Sequence, residues 1–333
     1  MAGPYYVDVT TGDDGDSGLT EALAFATLSF AAGTVAAGEL VYVKGSASYV
    51  VEDASNDCVL YIDTAGGNTT GIKWEGYTTT PGDGGLFTID ASTNTLAYGI
   101  RFNVFGNAYN MVKNCRVTGA SSAGYYSSAD DRGCLWNCRA DNCGSNGMTL
   151  QGNWLLVSPQ SDNNTGHGIS VGFYGQIVNP VAHTNTANGI TASDVSVIIN
   201  PLVYNNGATG DGIDISGSSQ VIYGGSIDCD NNAGANGLYS GSARSLVAVI
   251  NTILFDCGVG VSFGAANNNS IAAQNNLFYS NATDRTNFPA GDNDVAGSSD
   301  PFTASATRDY TLKSGSEAID AGVDASDTLD IFD

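Results

Sequence analysis

A lysine, an arginine and a tyrosine can together take a proton from carbon, protonate a leaving oxygen and neutralise a carboxylate. Those are the tasks of a β-elimination on an acidic sugar. Lys73, Arg101 and Tyr126 form such a set, provided the fold brings residues distant in sequence onto adjacent positions of one surface. Hydrolysis of a glycosidic bond would instead need two carboxylates ~5–9.5 Å apart. Asp130 with Asp131, near His167, and the pair Asp211 and Asp214 are the candidates for it. In Asp13-Asp14-Gly15-Asp16-Ser17-Gly18, the carboxylates of Asp13, Asp14 and Asp16 could serve a calcium ion, which favours several oxygens on a bent loop. The spacing is not that of an EF-hand, and an acidic turn ahead of a helix is the plainer reading.

What must position these residues is a repeat. A Gly-apolar dipeptide recurs about every 21–25 residues: Gly99-Ile100, Gly124-Tyr125, Gly147-Met148, Gly168-Ile169, Gly189-Ile190, Gly212-Ile213, Gly237-Leu238 and Gly260-Val261. A second column keeps step with it: Asn114, Asn137, Ser158, Asn179, Asn200, Gly224, Asn251 and Asn275. Around both columns the chain alternates with period two, as in Gly212-Ile213-Asp214-Ile215, which marks strands. A first strand starts at each glycine, a second ends at each Asn and a third follows it. Three short strands per repeat fit one triangular coil that pairs with the next at ~4.8 Å. The expectation is a single all-β parallel β-helix of roughly ten coils. Residues 1–50 would form an entry strand and a short capping helix, 51–284 the coils and 285–333 a C-terminal tail.

Period two also assigns what faces outward on the first strand. One column reads Lys73, Arg101, Tyr126, Thr149, Ser170, Thr191, Asp214, Tyr239 and Ser262, and a neighbouring one includes Glu75 and Gln151. Hydroxyls and amides dominate, a strip able to hydrogen-bond sugars. Thr149, Gln151, Ser170, Thr191, Asp214 and Tyr239 are its candidate binding residues.

The repeat resembles that of the pectate-lyase-like right-handed β-helix superfamily, in which an Asn ladder lines the turn between the second and third strands. The entry segment Tyr5-Tyr6-Val7-Asp8 through Val41-Tyr42-Val43-Lys44-Gly45 and the closing segment Ala318-Ile319-Asp320-Ala321-Gly322 are similar to those of bacterial members. The resemblance implies a substrate lying along the first-strand sheet. It does not select an activity, since the superfamily includes lyases, hydrolases, epimerases, phage tailspikes and inactive binders. Asp130-Asp131 and Gly166-His167-Gly168 resemble elements of polygalacturonase-like hydrolases, but that family's Asn-Thr-Asp and Arg-Ile-Lys elements are missing. His167 therefore also reads as a turn residue before an anchor glycine.

Net charge is −23, so nucleic acid is not an expected partner. Six of the eleven basic residues (Lys73, Arg101, Lys113, Arg116, Arg132 and Arg139) fall between positions 73 and 139, so only the N-terminal half could hold a polyanion. No apolar run is long enough to span a membrane, and no signal peptide is expected from the first residues. The seven cysteines have no framework spacing and read as core, and Cys134, Cys138 and Cys143 lack a completing zinc ligand. No cofactor is required by this reading, and calcium is the one ion it admits. The expected function is polysaccharide-directed, extracellular or virion-associated, with a non-catalytic structural or receptor-binding protein as the alternative.

One further column bears on partners. On the second strand, Trp136, Val157, Val178, Ile199, Tyr223 and Ile250 should face outward as an apolar ridge. A ridge that large is rarely left bare. The tail beyond Arg285 would cover it in a monomer, or another copy of the chain in a homo-oligomer.

Overall fold

The computed structural model describes residues 4–51, 53, 55–63, 71–103, 109–207, 210–215, 217, 219–241, 246–264 and 271–323, leaving aside the side chains of 129–131 and 231. The strands form a right-handed parallel β-helix with three faces. Face one stacks Cys58–Ile62, Tyr98–Phe102, Ile169–Val171, Ile190–Ala192, Ile213–Ile215 and Thr283–Thr286, with parts of longer strands between. Face two begins at Tyr5–Val7 and Leu40–Lys44 and ends at Ile271–Gln274. Face three runs from Ser48–Tyr49 to Val295–Ala296. The ladder thus starts before residue 51 and continues past residue 284.

Inward residues stack like on like. Ile169, Ile190 and Ile213 line face one, Ile177, Ile198 and Ile222 face two, and Ala182, Val203 and Ile227 face three, all buried. Each coil buries its apolar side chains against its neighbours, so stability accumulates along the stack. At the N-terminal end the helix Leu28–Thr34 closes the barrel with Leu28 and Ala31.

The turn from face two to face three is a column of left-handed residues. Asn114, Asn137, Ser158, Asn179, Asn200, Asn251 and Asn275 have φ between 50° and 57°. Asn tolerates that region because its short amide bonds locally. Here the amides also bond along the axis: Asn137 Nδ2 donates to Asn114 Oδ1 (2.9 Å) and Asn200 Nδ2 to Asn179 Oδ1 (3.0 Å).

A second amide ladder, at the corner from face three to face one, explains the anchor glycines. Asn164 and Asn185 are buried, and Asn164 Nδ2 donates to Asn185 Oδ1 (2.8 Å), Asn185 Nδ2 to Asn206 Oδ1 (3.0 Å). A Cβ on Gly168 would stand 2.6 Å from Asn185 Nδ2 and 2.6 Å from the carbonyl oxygen of Gly189. Only glycine leaves room for both the ladder and the next coil.

The C-terminal segment corrects one expectation. Its antiparallel hairpin, Phe302–Ala304 with Asp309–Leu312, packs on face three and not on the ridge of face two. The reason is composition. The outward positions of face three carry Arg139 and Asp141 in early coils but Ile253, Phe255 and Leu277 in late ones, and Phe302 buries these with Tyr310 alongside. Of the ridge, the described tail meets Tyr223, whose hydroxyl donates to the Val323 carbonyl (2.9 Å). The ridge itself is in register as expected, Trp136 beside Val157, then Val178, Ile199, Tyr223 and Ile250. Trp136 is 46 % exposed, the middle members are half-buried and Ile250 is buried.

Cys229 and Cys257 form a disulfide across coils, which spacing did not suggest. Cys58, Cys115, Cys138 and Cys143 are buried free thiols, and Cys134 is a half-buried one.

Candidate functional site

Face one places Arg101, Tyr126, Thr149, Ser170, Thr191, Asp214, Tyr239 and Ser262 in one outward column, each the register partner of the next. Gln151 lies in the strand of Thr149 and is half-buried. Lys73 is not in this column. It pairs with Leu40 and Met111 on face two, and Glu75 likewise lies there, bound to Lys113 (2.8 Å). The column position before Arg101 belongs to Tyr61. Loops of unequal length between residues 45 and 99 break the period, so counting back from Gly99 lands on the wrong face.

The N-terminal end of the column is aromatic. Tyr98 and Tyr126 stack with ring centroids 4.2 Å apart and an interplanar angle of 18°. The Arg101 guanidinium lies 5.7 Å from the Tyr98 centroid and 5.9 Å from that of Tyr61, and Nη1 donates to the Asn56 carbonyl (3.1 Å). Rings and one cation form a platform, with the hydroxyl and amide strip running on from it. Sequence reading missed Tyr61 and Tyr98. The signal for Tyr98 was its position just before Gly99 in an alternating strand.

Beside the strip, on the face-three side, runs a column of side-chain acceptors. His167 N–H donates to Asn146 Oδ1 (2.9 Å), Asn188 N–H to His167 Nδ1 (3.2 Å), Asp211 N–H to Asn188 Oδ1 (2.9 Å) and Asn236 N–H to Asp211 Oδ1 (3.1 Å). His167 is thus a turn member of this column, its Nδ1 an acceptor, and burial pushes its pKa down. Asp130 and Asp131 have side chains outside the described residues. Asp211 and Asp214 both meet Asn188, whose Nδ2 donates to Asp214 Oδ2 (3.4 Å). Burial raises the Asp211 pKa, against two hydrogen bonds from Asn236.

The acidic loop is built as a cap. Asp14 Oδ1 accepts from the N–H groups of Ala26 (2.9 Å) and Thr27 (3.0 Å), and its Oδ2 from the Thr27 hydroxyl (2.7 Å). Asp13 Oδ1 closes its own turn by accepting from Gly15 N–H (2.8 Å). Among the described residues no group of three or more His, Cys, Asp or Glu could hold a metal ion.

The basic residues expected to serve a polyanion are mostly engaged elsewhere. On face three Arg116 grips Asp141 through Nε (2.7 Å) and Nη2 (2.8 Å), and Arg139 grips Asp162 (2.9 Å twice). Arg132 lies over the Tyr109 ring.

No protein-family model matches the chain, and neither does any curated protein. Among solved structures, pectate lyase Pel9A is similar at 17 % identity, with a TM-score of 0.68 over 96 % of this chain and 91 % of that one. The complex structure of XylC with xylose is similar at 9 % identity, with a TM-score of 0.56 over 90 % of this chain and 86 % of that one. No helix among the described residues is long and apolar enough to cross a membrane. The chain has the right-handed parallel β-helix fold that the structure of pectate lyase Pel9A also shows.

Proposed function

We propose that this protein engages a polysaccharide along the outer surface of face one, outside the cytoplasm. The observation that carries the reading is the platform of Tyr61, Tyr98, Arg101 and Tyr126 opening onto an in-register strip of hydroxyls and amides. Aromatic faces hold apolar sugar surfaces, a guanidinium favours carboxylate, and the strip bonds hydroxyls. Two proteins of the same fold lend support, one a pectate lyase and the other captured with xylose. The Cys229–Cys257 disulfide supports an oxidising compartment.

Turnover has two routes on this face. Elimination would draw on Arg101 and Tyr126, without Lys73. Hydrolysis would draw on Asp211, whose raised pKa suits an acid, and Asp214. A gripping, non-catalytic role at a cell or virion surface is the second reading. It is favoured by Lys73 standing on another face and by Asp214 being the one described carboxylate in the column from Tyr61 to Ser262.

A panel of acidic and neutral polysaccharides tests the reading, with new reducing ends, ultraviolet absorbance of unsaturated products and co-sedimentation measured together. At least one glycan should be bound. Unsaturation would select elimination, reducing ends alone hydrolysis, and binding without either the gripping role. Neither turnover nor binding across the panel would refute it.

A further inference from the structure

Face two carries a groove that the glycan strip of face one does not use. Leu40, Met111 and Trp136 line it together with Lys73, Glu75 and Lys113. Register sets the arrangement: Lys73 stands beside Met111, and Glu75, Lys113 and Trp136 follow one another on adjacent coils. Lys113 and Glu75 form an ion pair (2.8 Å).

Two facts point to a ligand of defined chemistry. Trp136 is 46 % exposed on a flat sheet, while Trp74 and Trp154, the other tryptophans, are buried. Most cations of this very acidic chain are neutralised: Lys44, Lys113, Arg116, Arg139, Arg285 and Arg308 each pair with a carboxylate. Of the described cations that form no such pair, Lys73, Arg101, Arg132 and Lys313, the first three fall within residues 73–132. Arg132 stands on the same face, beside Tyr109 and two residues ahead of Cys134, the partner of Met111. Of these cations, Lys73 lines the same groove as the exposed indole.

We propose that this groove is a second, non-catalytic subsite for one acidic sugar residue, with the ring lying on Trp136 and its carboxylate at Lys73. An indole offers a large flat apolar face at little conformational cost, and Lys73 supplies a positive charge for the carboxylate that the rest of the acidic surface would repel. The assignment rests on the glycan-directed reading of face one and extends it to another face.

The single exposed tryptophan makes the test direct. The full chain is titrated with tetragalacturonate, and with xylotetraose as the uncharged counterpart. Tryptophan emission and acrylamide quenching report on the groove, and calorimetry reports on total binding. Tetragalacturonate should change the emission saturably and protect it from acrylamide, and xylotetraose should do so far less. Lys73→Ala should weaken the fluorescence-detected affinity roughly two- to fivefold and flatten its salt dependence. Arg101→Ala should leave that midpoint in place. Heat of binding without a change in emission would overturn the second subsite while leaving face one intact. Neither heat nor emission change would overturn both. Shielding of Trp136 before any sugar is added, with a dimer in sedimentation, would overturn it in favour of a second copy of the chain.

Discussion

Asp141→Ala should destabilise the fold by about 3 kcal/mol, read as a lower urea midpoint at unchanged slope. The Asp141 side chain is fully buried and accepts from Arg116 Nε (2.7 Å) and Nη2 (2.8 Å), the Thr118 hydroxyl (2.8 Å) and Asn142 Nδ2 (2.6 Å). Arg139 Nε approaches it at 3.2 Å while holding Asp162 on the next coil. Removing one carboxylate therefore leaves two guanidinium groups short of a partner and breaks a chain of bonds across three coils. Both arginines are more than a third exposed, so water restores part of the loss. That places the cost at the lower end for a broken buried pair. Burial alone would raise the Asp141 pKa, but the bonds from Arg116 and Thr118 and the nearby guanidinium charges outweigh it and leave the pKa depressed. A depressed folded-state pKa contributes stability that is present at neutral pH. It is lost as pH falls below the ordinary carboxylate range and through the folded value. The gap between wild type and Asp141→Ala should accordingly narrow on acidification, and a gap that widened would be inconsistent with this geometry.

Gly168→Ala is the second large effect, expected to cost about 2–3 kcal/mol in the same measurement. One methyl would need the space held by Asn185 Nδ2 and the Gly189 carbonyl, both 2.6 Å away. The amide cannot swing aside, because it donates to Asn206 Oδ1 (3.0 Å) and to the Ser161 carbonyl (3.1 Å). The carbonyl accepts from Ile169 N–H (3.0 Å) and belongs to the ladder itself. A buried network left half-satisfied costs more than the methyl gains. The contrasting case is Gly33→Ala in the capping helix, where no atom lies within 4 Å of the added carbon and alanine is the better helix former. That substitution should be neutral or slightly stabilising. Equal losses at the two glycines would contradict the steric account of the repeat.

How far the sequence could be read depends on which columns were regular. From Gly99 to Gly260 the anchors keep step with the Asn corner. Faces, register and the outward strip from Arg101 to Ser262 could therefore all be assigned without coordinates. Lys73 was misplaced because the chain between residues 45 and 99 carries long loops, and Cys58, not glycine, opens the strand that presents Tyr61. The second amide ladder was present as Asn164, Asn185 and Asn206 at a constant step. It was hidden because each follows a polar turn residue and looked like loop composition. The pairing of Arg116 with Asp141 and Arg139 with Asp162 needed knowledge of which residues share face three. Charge clustering in sequence suggests a basic half, whereas the fold pairs three of those six cations, Lys113, Arg116 and Arg139, with carboxylates on neighbouring coils. The tail's destination turned on Ile253, Phe255 and Leu277 facing outward, a reversal of the pattern set by earlier coils.

A glycan held on the aromatic end of face one should depend on Arg101 and Tyr126. Calorimetric titration of a bound member of the polysaccharide panel into wild type, Arg101→Ala, Tyr126→Ala and Thr191→Ala tests it most directly. Thr191 shares the column with Arg101 and Tyr126 but sits farther along it, away from the platform. Binding should be roughly tenfold weaker for Arg101→Ala and for Tyr126→Ala, about 1.4 kcal/mol each, and less than about twofold weaker for Thr191→Ala. Equal losses at all three positions, or no loss at Arg101 and Tyr126, would contradict it.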